Sequence, residues 1–397
     1  MNQKTIKDID VAGTRVLVRV DFNVPLNPET GAVTDDSRIR AVLPTINYLL
    51  DKRAKLILCS HLGHPTDRES VPTLAPVAER LSQHLHLPVK MATDCVGPEV
   101  EEAARTLFEG QILVLENLRL RPEDERNDPA FAQALAGLAD IFVNDAFSMC
   151  HRSHASTVGI TEYLPSVAGF LLEKELDTIT QVLDSPTRPL TVVIGGKKIS
   201  DRMAPIENVL DKIDSLLIGG GIGSAFLKSL EQRTRPLSDA NEGAGLAQEL
   251  MDKAWRKGVH LLLPIDVVIS DRFDPQGKSR TVPIDDVPPG WYVMDIGQRT
   301  IEVFTAKFRK SKTIIWNGPL GIFEFPKFQK GTRAIATALA SSDSTTTTIV
   351  SGGSIAEAVE EMELTRKLTH VSVAGGAYLR LLEGKPLPGL ASLADKN

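Results

Sequence analysis

The chain has 397 residues, 42% of them hydrophobic and 24% charged, with a formal net charge of −6. That length favours two domains, and the mild acidity supplies no general attraction for nucleic acid or an anionic membrane, so an anionic ligand must be held by a local cluster of cations. No apolar run is long enough to cross a bilayer, and the first residues carry no apolar core of signal-peptide length. The three cysteines, Cys59, Cys95 and Cys150, have neither metal spacing nor an even count. A cytoplasmic protein with reduced thiols is expected.

In chain order, short apolar runs alternate with amphipathic stretches. Strands are expected at 15–22, 54–60, 111–118 and 140–146, then at 190–195, 214–219, 260–269, 312–317, 346–351 and 369–374. Helical spacing fits 38–52, 73–86, 98–108, 129–139, 202–211, 222–231, 243–257, 329–340, 355–362 and 376–383. Strand–helix alternation over the whole length implies an α/β fold, with parallel sheets covered by helices on both faces. The division falls near 165–190. Pro165 is expected to end the first unit, 167–184 carries helical spacing, and Ser185-Pro186-Thr187-Arg188-Pro189 breaks the chain before a new strand. A long helix bracketed by prolines is expected to link two α/β units.

The two halves end their strands differently. In an open α/β sheet, ligands are held where strands end. The first strand releases Asp21 and Asn23. Arg38 follows Ser37 at a helix start, and His61 lies in Ser60-His61-Leu62-Gly63-His64. Arg119 and Arg121 follow the third strand, and Arg152 follows the fourth. The planar guanidinium suits carboxylate and phosphate oxygens. One such arginine is ordinarily a surface ion pair, but four segments of this kind after strands describe a pocket for a small anion. His151 and His154 lack carboxylate or thiolate company at ligand spacing, so no metal site is read there. The second half ends its strands with glycines: Gly195-Gly196, Gly219-Gly220-Gly221, Asn317-Gly318-Pro319, Gly352-Gly353 and Gly375-Gly376. Glycine lets backbone approach a phosphate, and the helix that follows offers free N–H groups and a positive dipole end. Five such turns point to a nucleotide, although neither a P-loop nor a dinucleotide fingerprint is present. Lys197, Lys198 and Arg202 would neutralise phosphates. These residues describe a two-domain kinase for a small acid.

At this point the sequence resembles the phosphoglycerate kinase family over essentially its whole length. The resemblance is carried by Val18-Arg19-Val20-Asp21-Phe22-Asn23-Val24-Pro25, Ser60-His61-Leu62-Gly63, Leu115-Glu116-Asn117-Leu118-Arg119, Val143-Asn144-Asp145-Ala146-Phe147, Trp316-Asn317-Gly318-Pro319 and Leu387-Pro388-Gly389. It implies two doubly wound, Rossmann-like lobes joined by a hinge helix: a substrate lobe at 1–166 with the tail 384–397, a hinge at 167–186, and a nucleotide lobe at 187–383. The implied reaction is reversible transfer between 1,3-bisphosphoglycerate and ADP, giving 3-phosphoglycerate and MgATP. By the same resemblance Asp21, Asn23, Arg38, His61, His64, Arg119 and Arg152 would hold the phosphoglycerate, with Arg38 also at the reacting carboxyl end. Lys198 matches the catalytic lysine, and Arg202 stands where a lysine follows the transferred group. Gly195, Gly196, Gly219, Gly220, Gly297, Asn317, Pro319, Glu324, Gly352, Gly353 and Ser354 match the nucleotide edge, with Glu324 on the ribose. A hinge-bending enzyme of this size can work as a monomer.

The chain departs from the family pattern at several contacts. Ser354 replaces the aspartate that touches the nucleotide's Mg²⁺, and Ile355 replaces a hydroxyl residue. A serine can ligate Mg²⁺ without charge; Ser354 with Glu357 also reads as a helix capping box. Lys197 replaces alanine, His64 an arginine, Ser148 a glycine, and Val373-Ala374 a Thr-Gly pair. An active kinase is the leading reading. The alternatives are a silent phosphoglycerate-binding regulatory paralogue, motivated by Ser354 with Ile355, and a kinase with another phosphate donor.

Overall fold

In the computed structural model, which describes residues 2–63, 71–196, 199–223, 226 and 242–396 (242 and 243 by backbone alone), the apolar run after Thr14 becomes strand β1 (Arg15–Arg19). Val16, Leu17 and Val18 are wholly buried although they point to opposite faces, which requires cover on both sides. Helices Ser37–Asp51 and Ala75–Leu85 help supply it through Ile39, Val42, Ile46, Leu49, Val77 and Leu81. Strands β2 (Lys55–Cys59), β3 (Val89–Met91), β4 (Ile112–Val114), β5 (Ile141–Asn144) and β6 (Ser166–Ala168) complete a sheet in the order β3-β4-β2-β1-β5-β6. Every pairing in it is parallel. The chain winds outward from β1 through β2, then returns past it to β5, so the order reverses between β1 and β5.

The second half repeats the plan. Its strands are β7 (Leu190–Ile194), β8 (Ser215–Ile218), β9 (His260–Leu262), β10 (Asp266–Ser270), β11 (Ser279–Pro283), β12 (Tyr292–Ile296), β13 (Thr313–Asn317), β14 (Thr347–Ser351) and β15 (His370–Ser372). Six form a parallel sheet ordered β15-β14-β13-β7-β8-β9, with the reversal between β7 and β13. The other three form a separate antiparallel sheet, β11-β10-β12. Both large sheets are doubly wound.

Several expected elements differ. The run 260–269 is two strands in two sheets, because Pro264 has no N–H to donate to a ladder. The run 111–118 stops at Val114; Asn117 turns the chain by accepting from Arg119 N and opening a 3₁₀ turn at Leu118–Leu120. Helix Gln298–Phe308 and strands β3, β6, β11 and β12 were not legible as elements. Most of the helix expected at 222–231 lies outside the described residues. Pro165 is followed by one more strand of the first sheet, and the helix behind it begins at Phe170, not at 167. Ser354 is not an N-cap: helix Gly353–Glu361 is capped at Gly352, with no side-chain cap bond. Gly352 has φ 121°, a conformation for glycine, so the turn closes two residues earlier than a capping box would place it.

The chain divides into two compact units, Met1–Asp177 with Pro386–Asn397, and Thr178–Lys385. The boundary lies inside helix Phe170–Asp184. Within the first unit the C-terminal tail is tied down by backbone bonds from Gly389 to Cys150 (3.0 Å) and from Ala394 to Ser166 (3.0 Å), and by Asn144 Nδ2 donating to Gly389 O at 2.9 Å.

The start of the boundary helix is fixed by Asp145, which follows β5. Its Oδ1 accepts from Leu171 N (2.9 Å) and Leu172 N (3.1 Å). A Cβ on Gly169 would lie 2.3 Å from that oxygen, so only glycine fits beside it. Burial pushes the Asp145 carboxyl up to about 6, against the pull of Thr45 and the two helix N–H groups. A carboxyl raised in the folded state binds its proton more tightly there than in the unfolded chain. Its charge therefore costs stability as pH rises from about 4 to 6, and the cost stays constant above. Asp145→Asn keeps an acceptor and removes the charge. The stability difference between variant and parent, from denaturant unfolding, should rise by on the order of 2 kcal/mol across that window and then level off.

Candidate active site

At the reversal between β1 and β5, the loop leaving β1 presents Asp21, which is 6% exposed. Its Oδ2 accepts from Arg38 Nη1 and from Ser148 Oγ, and its Oδ1 from Asn23 N at 3.0 Å. Burial alone would raise this carboxyl. The Arg38 guanidinium and the hydrogen bonds from Ser148 and Asn23 overcome it and hold the group well below the usual carboxylate range. Asn23 Oδ1 accepts from Gly63 N at 2.8 Å, tying the β1 loop to the β2 loop. Ser148, where the family pattern has glycine, thus adds a third tie to Asp21.

His61 is 5% exposed, and its Nδ1 lies 3.1 Å from Arg19 Nη2. Burial and the Arg19 charge push its pKa down to about 3, with Arg119 and Arg38 adding to the fall and Asp21 opposing it. The imidazole is neutral at physiological pH. Arg119 pairs with Glu125 and is largely buried. Burial lowers its pKa too, opposed by Glu125 and deepened by the like charges of Arg19 and Arg152. Arg152 is exposed, its Nε 3.4 Å from His151 Nε2. Four arginines thus share one neighbourhood with Asp21 and His61. Arg19 carried no role in the sequence reading, since a strand-end arginine with no polar neighbour in sequence gives no signal. Arg121, read with this group, turns to Asp94 instead. His64 lies outside the described residues.

The second unit collects its glycines at the reversal between β7 and β13. Gly195 N donates to Asn317 O at 2.8 Å, and Gly220 N to Leu320 O at 3.1 Å. A Cβ on Gly195 would stand 2.1 Å from Pro319 O; one on Gly318 would stand 2.4 Å from Gly195 O. One on Gly219 would meet the Leu320 side chain at 2.6 Å, and one on Gly375 the Gly352 Cα at 3.0 Å. These glycines let the chain pack on itself. The Gly297 position is likewise filled by the Asp266 carboxylate, which accepts from Arg299 N and Thr300 N. Gly352 and Gly353 differ: among the described residues nothing lies within 4 Å of a Cβ on Gly353, and the nearest atom to one on Gly352 is at 3.9 Å. They open the helix Gly353–Glu361, whose free N–H groups and positive dipole end face that space.

Asn317 is buried, its Nδ2 donating to Ser351 Oγ across the β13–β14 pair at 2.9 Å. Pro319 follows on the turn above it, and Leu320 N donates to Thr332 Oγ1 at 3.1 Å. Glu324 is exposed on the loop beyond. Arg202 folds back over the first glycine pair: a Cβ on Gly196 would lie 3.3 Å from its Nε and Nη2. Burial lowers the Arg202 pKa, opposed by Asp201. Ser354 is the second residue of its helix. Lys197 and Lys198 lie outside the described residues. Among the described residues no three His, Cys, Asp or Glu side chains gather to hold a metal, and no helix is long and apolar enough to cross a membrane.

The family model for phosphoglycerate kinase matches residues 6–385. Phosphoglycerate kinases of Herpetosiphon aurantiacus and Chloroflexus aggregans are 50% and 51% identical to the chain, each alignment covering 100% of both sequences. Among solved structures, the phosphoglycerate kinase of Coxiella burnetii is 36% identical with a TM-score of 0.80, and that of Pyrococcus horikoshii 30% identical with a TM-score of 0.85; each match covers 98% of both chains.

The two kinds of glycine are separable by stability. Gly195→Ala drives a methyl into backbone and should lower unfolding free energy by ~3 kcal/mol or more. Gly353→Ala enters open space in a helix and should change it by less than ~1 kcal/mol. Thermal and denaturant unfolding of the two variants checks both.

Proposed function

The chain belongs to the phosphoglycerate kinase family, and from that premise we propose that the cationic end of the first sheet holds 3-phosphoglycerate and the open glycine turns of the second hold the nucleotide. It is a phosphotransferase with a carboxyl group as acceptor, catalysing reversible phosphoryl transfer between 1,3-bisphosphoglycerate and ADP to give 3-phosphoglycerate and ATP. The relatives are kinases at half identity over their full length, and they give the silent paralogue no support.

The observation that carries the residue assignment is the charge at the β1/β5 reversal. Arg38, Arg119 and Arg152 gather there with neutral His61; Asp21 is committed to Arg38 and Ser148, and Glu125 to Arg119, which leaves the arginines in excess among these groups. Such a site attracts an anion and has fixed charges throughout. Asp21 and Asn23 would orient the glycerate, the arginines and His61 would bind its phosphate and carboxylate, and Arg38 would stabilise charge on the reacting carboxyl. His64 is assigned with them by sequence alone.

In the second unit, the free N–H groups in the first turn of the helix that Gly353 opens would receive phosphates, with Gly195, Gly196, Gly219 and Gly220 shaping the floor beneath the nucleotide. Asn317, Pro319 and Gly297 would border it, and Glu324 would reach the ribose hydroxyls. Lys198 and Arg202 would follow the transferred group. Mg²⁺ would arrive on the phosphates and offset their charge. The donor set suits an ion that keeps its waters, since Ser354 offers a hydroxyl and no charge. The joint between lobes is assigned to 167–186, and the working form to a cytoplasmic monomer without nucleic-acid or membrane partners.

Steady-state assays in the 3-phosphoglycerate direction test these roles. Arg38→Ala and Lys198→Met should each lower kcat by ~10²-fold or more, with Lys198→Met leaving KM for 3-phosphoglycerate within a few-fold. A Lys198→Met enzyme with normal turnover would remove that lysine from the mechanism. Ser354→Asp should lower the Mg²⁺ concentration needed for half-maximal rate; an unchanged requirement would place the metal's protein contact elsewhere.

A further inference from the structure

Arg19 is wholly buried, yet no carboxylate among the described residues lies within ion-pair distance of it. Its guanidinium is spent on three neutral acceptors: Ser156 Oγ at 3.2 Å, Val20 O, and His61 Nδ1 at 3.1 Å. Its counter-charge stands one hydrogen bond further back, where Ser156 N donates to the Oδ1 of buried Asp124 at 2.8 Å. Asp124 in turn faces His154, whose Nδ1 is 3.4 Å from its Oδ2. A buried charge is costly unless well solvated by its partners, so a cation aimed at an imidazole needs a reason.

Arginine has donors only and keeps its proton. The His61 Nδ1 facing it must therefore accept, and the ring's remaining proton must sit on Nε2. Among the described residues nothing accepts from that Nε2–H. We propose that Arg19 is a positioning residue that fixes His61 as the neutral Nε2–H tautomer, so that the ring donates from Nε2 to an anionic group of the substrate. The proposal rests on the assignment of this end of the first sheet to 3-phosphoglycerate. The charged groups facing the ring are Arg19 on β1, Asp21 on the loop after it, Arg38 on helix Ser37–Asp51, and Arg119 on the 3₁₀ turn at Leu118–Leu120. Three of the four oppose a proton on Nδ1. The ring thereby delivers a donor polarised by the guanidinium behind it, and its contribution to binding does not vary with pH in the physiological range.

The test is imidazole nitrogen NMR on the full-length enzyme labelled at histidine, with the kinetics of a variant beside it. In the parent, His61 should show the Nε2–H pattern without titrating between about pH 5 and 8, and saturating 3-phosphoglycerate should shift Nε2. In Arg19→Met the tautomers should mix, while burial and the Arg119 and Arg38 charges still hold the ring's pKa down. KM for 3-phosphoglycerate should then rise about twofold or more over the parent's at neutral pH, with kcat changed less, because part of the ring population turns a lone pair toward the anion. Arg19→Lys, which keeps the charge and one donor, should restore much of the parent's behaviour. An Nδ1–H pattern or a titrating His61 in the parent overturns the proposal, and this reading needs no variant to fold. A folded Arg19→Met with the parent's single tautomer overturns it as well. A ring in the expected tautomer that 3-phosphoglycerate leaves unshifted keeps Arg19's hold on the ring but overturns the substrate assignment beneath it.

Discussion

Both units are governed by the reversal of winding in a parallel sheet. Where β1 and β5 part, and again where β7 and β13 part, the crossovers leave on opposite faces and the strand ends open onto free space. Everything attached to those ends is placed there by the sheet's order, before any side chain is chosen. What differs is the filling. The first sheet's end is dressed with arginines around ionised Asp21, with Glu125 paired to Arg119. The second sheet's end is pared to backbone, with Gly195 and Gly318 packed close and Gly352 and Gly353 left open. One fold plan thus yields a cationic end built from side chains and another that presents helix N–H groups.

Charge at the first end is unusually fixed. Asp21 stays ionised because Arg38, Ser148 and the Asn23 amide outweigh its burial. His61 stays neutral because burial and three guanidiniums outweigh Asp21. The network behind it, from Arg19 through Ser156 to Asp124, holds a buried positive charge with its counter-charge displaced from the pocket. An anion entering such a site meets groups whose protonation is already decided.

Much of this was legible in the sequence, because the strands of doubly wound sheets are buried on both faces and read as continuous apolar runs. The runs at Arg15–Arg19 and Thr313–Asn317 show it. The polar residues released at the end of the first strand, Asp21 and Asn23, marked the sheet end at which the cationic cluster is found. The failures have physical causes. Strand β11 is largely exposed and mixed in polarity, so no apolar run announced it, and the short run of β12 is broken by buried Asp295. The 260–269 run hid a change of sheet at Pro264. Glycine pairs do not say what approaches them: five turns were read as pointing to a nucleotide, but the space a Cβ would take at Gly195, Gly219 and Gly375 is filled by the chain itself. Arg19 looked like the last residue of a strand, and only three dimensions reveal that it backs His61.

The central claim is that the substrate anion and the nucleotide are received by different sheet ends, one through guanidiniums and one through helix N–H groups. Amide chemical-shift mapping with the two ligands added separately tests it most directly. The account predicts that 3-phosphoglycerate perturbs Asn23, Gly63 and Ala146 and leaves Gly352 and Gly353 alone, and that MgATP does the reverse. Perturbation of the glycine turns by 3-phosphoglycerate, or of the β1/β5 loops by MgATP alone, would contradict it.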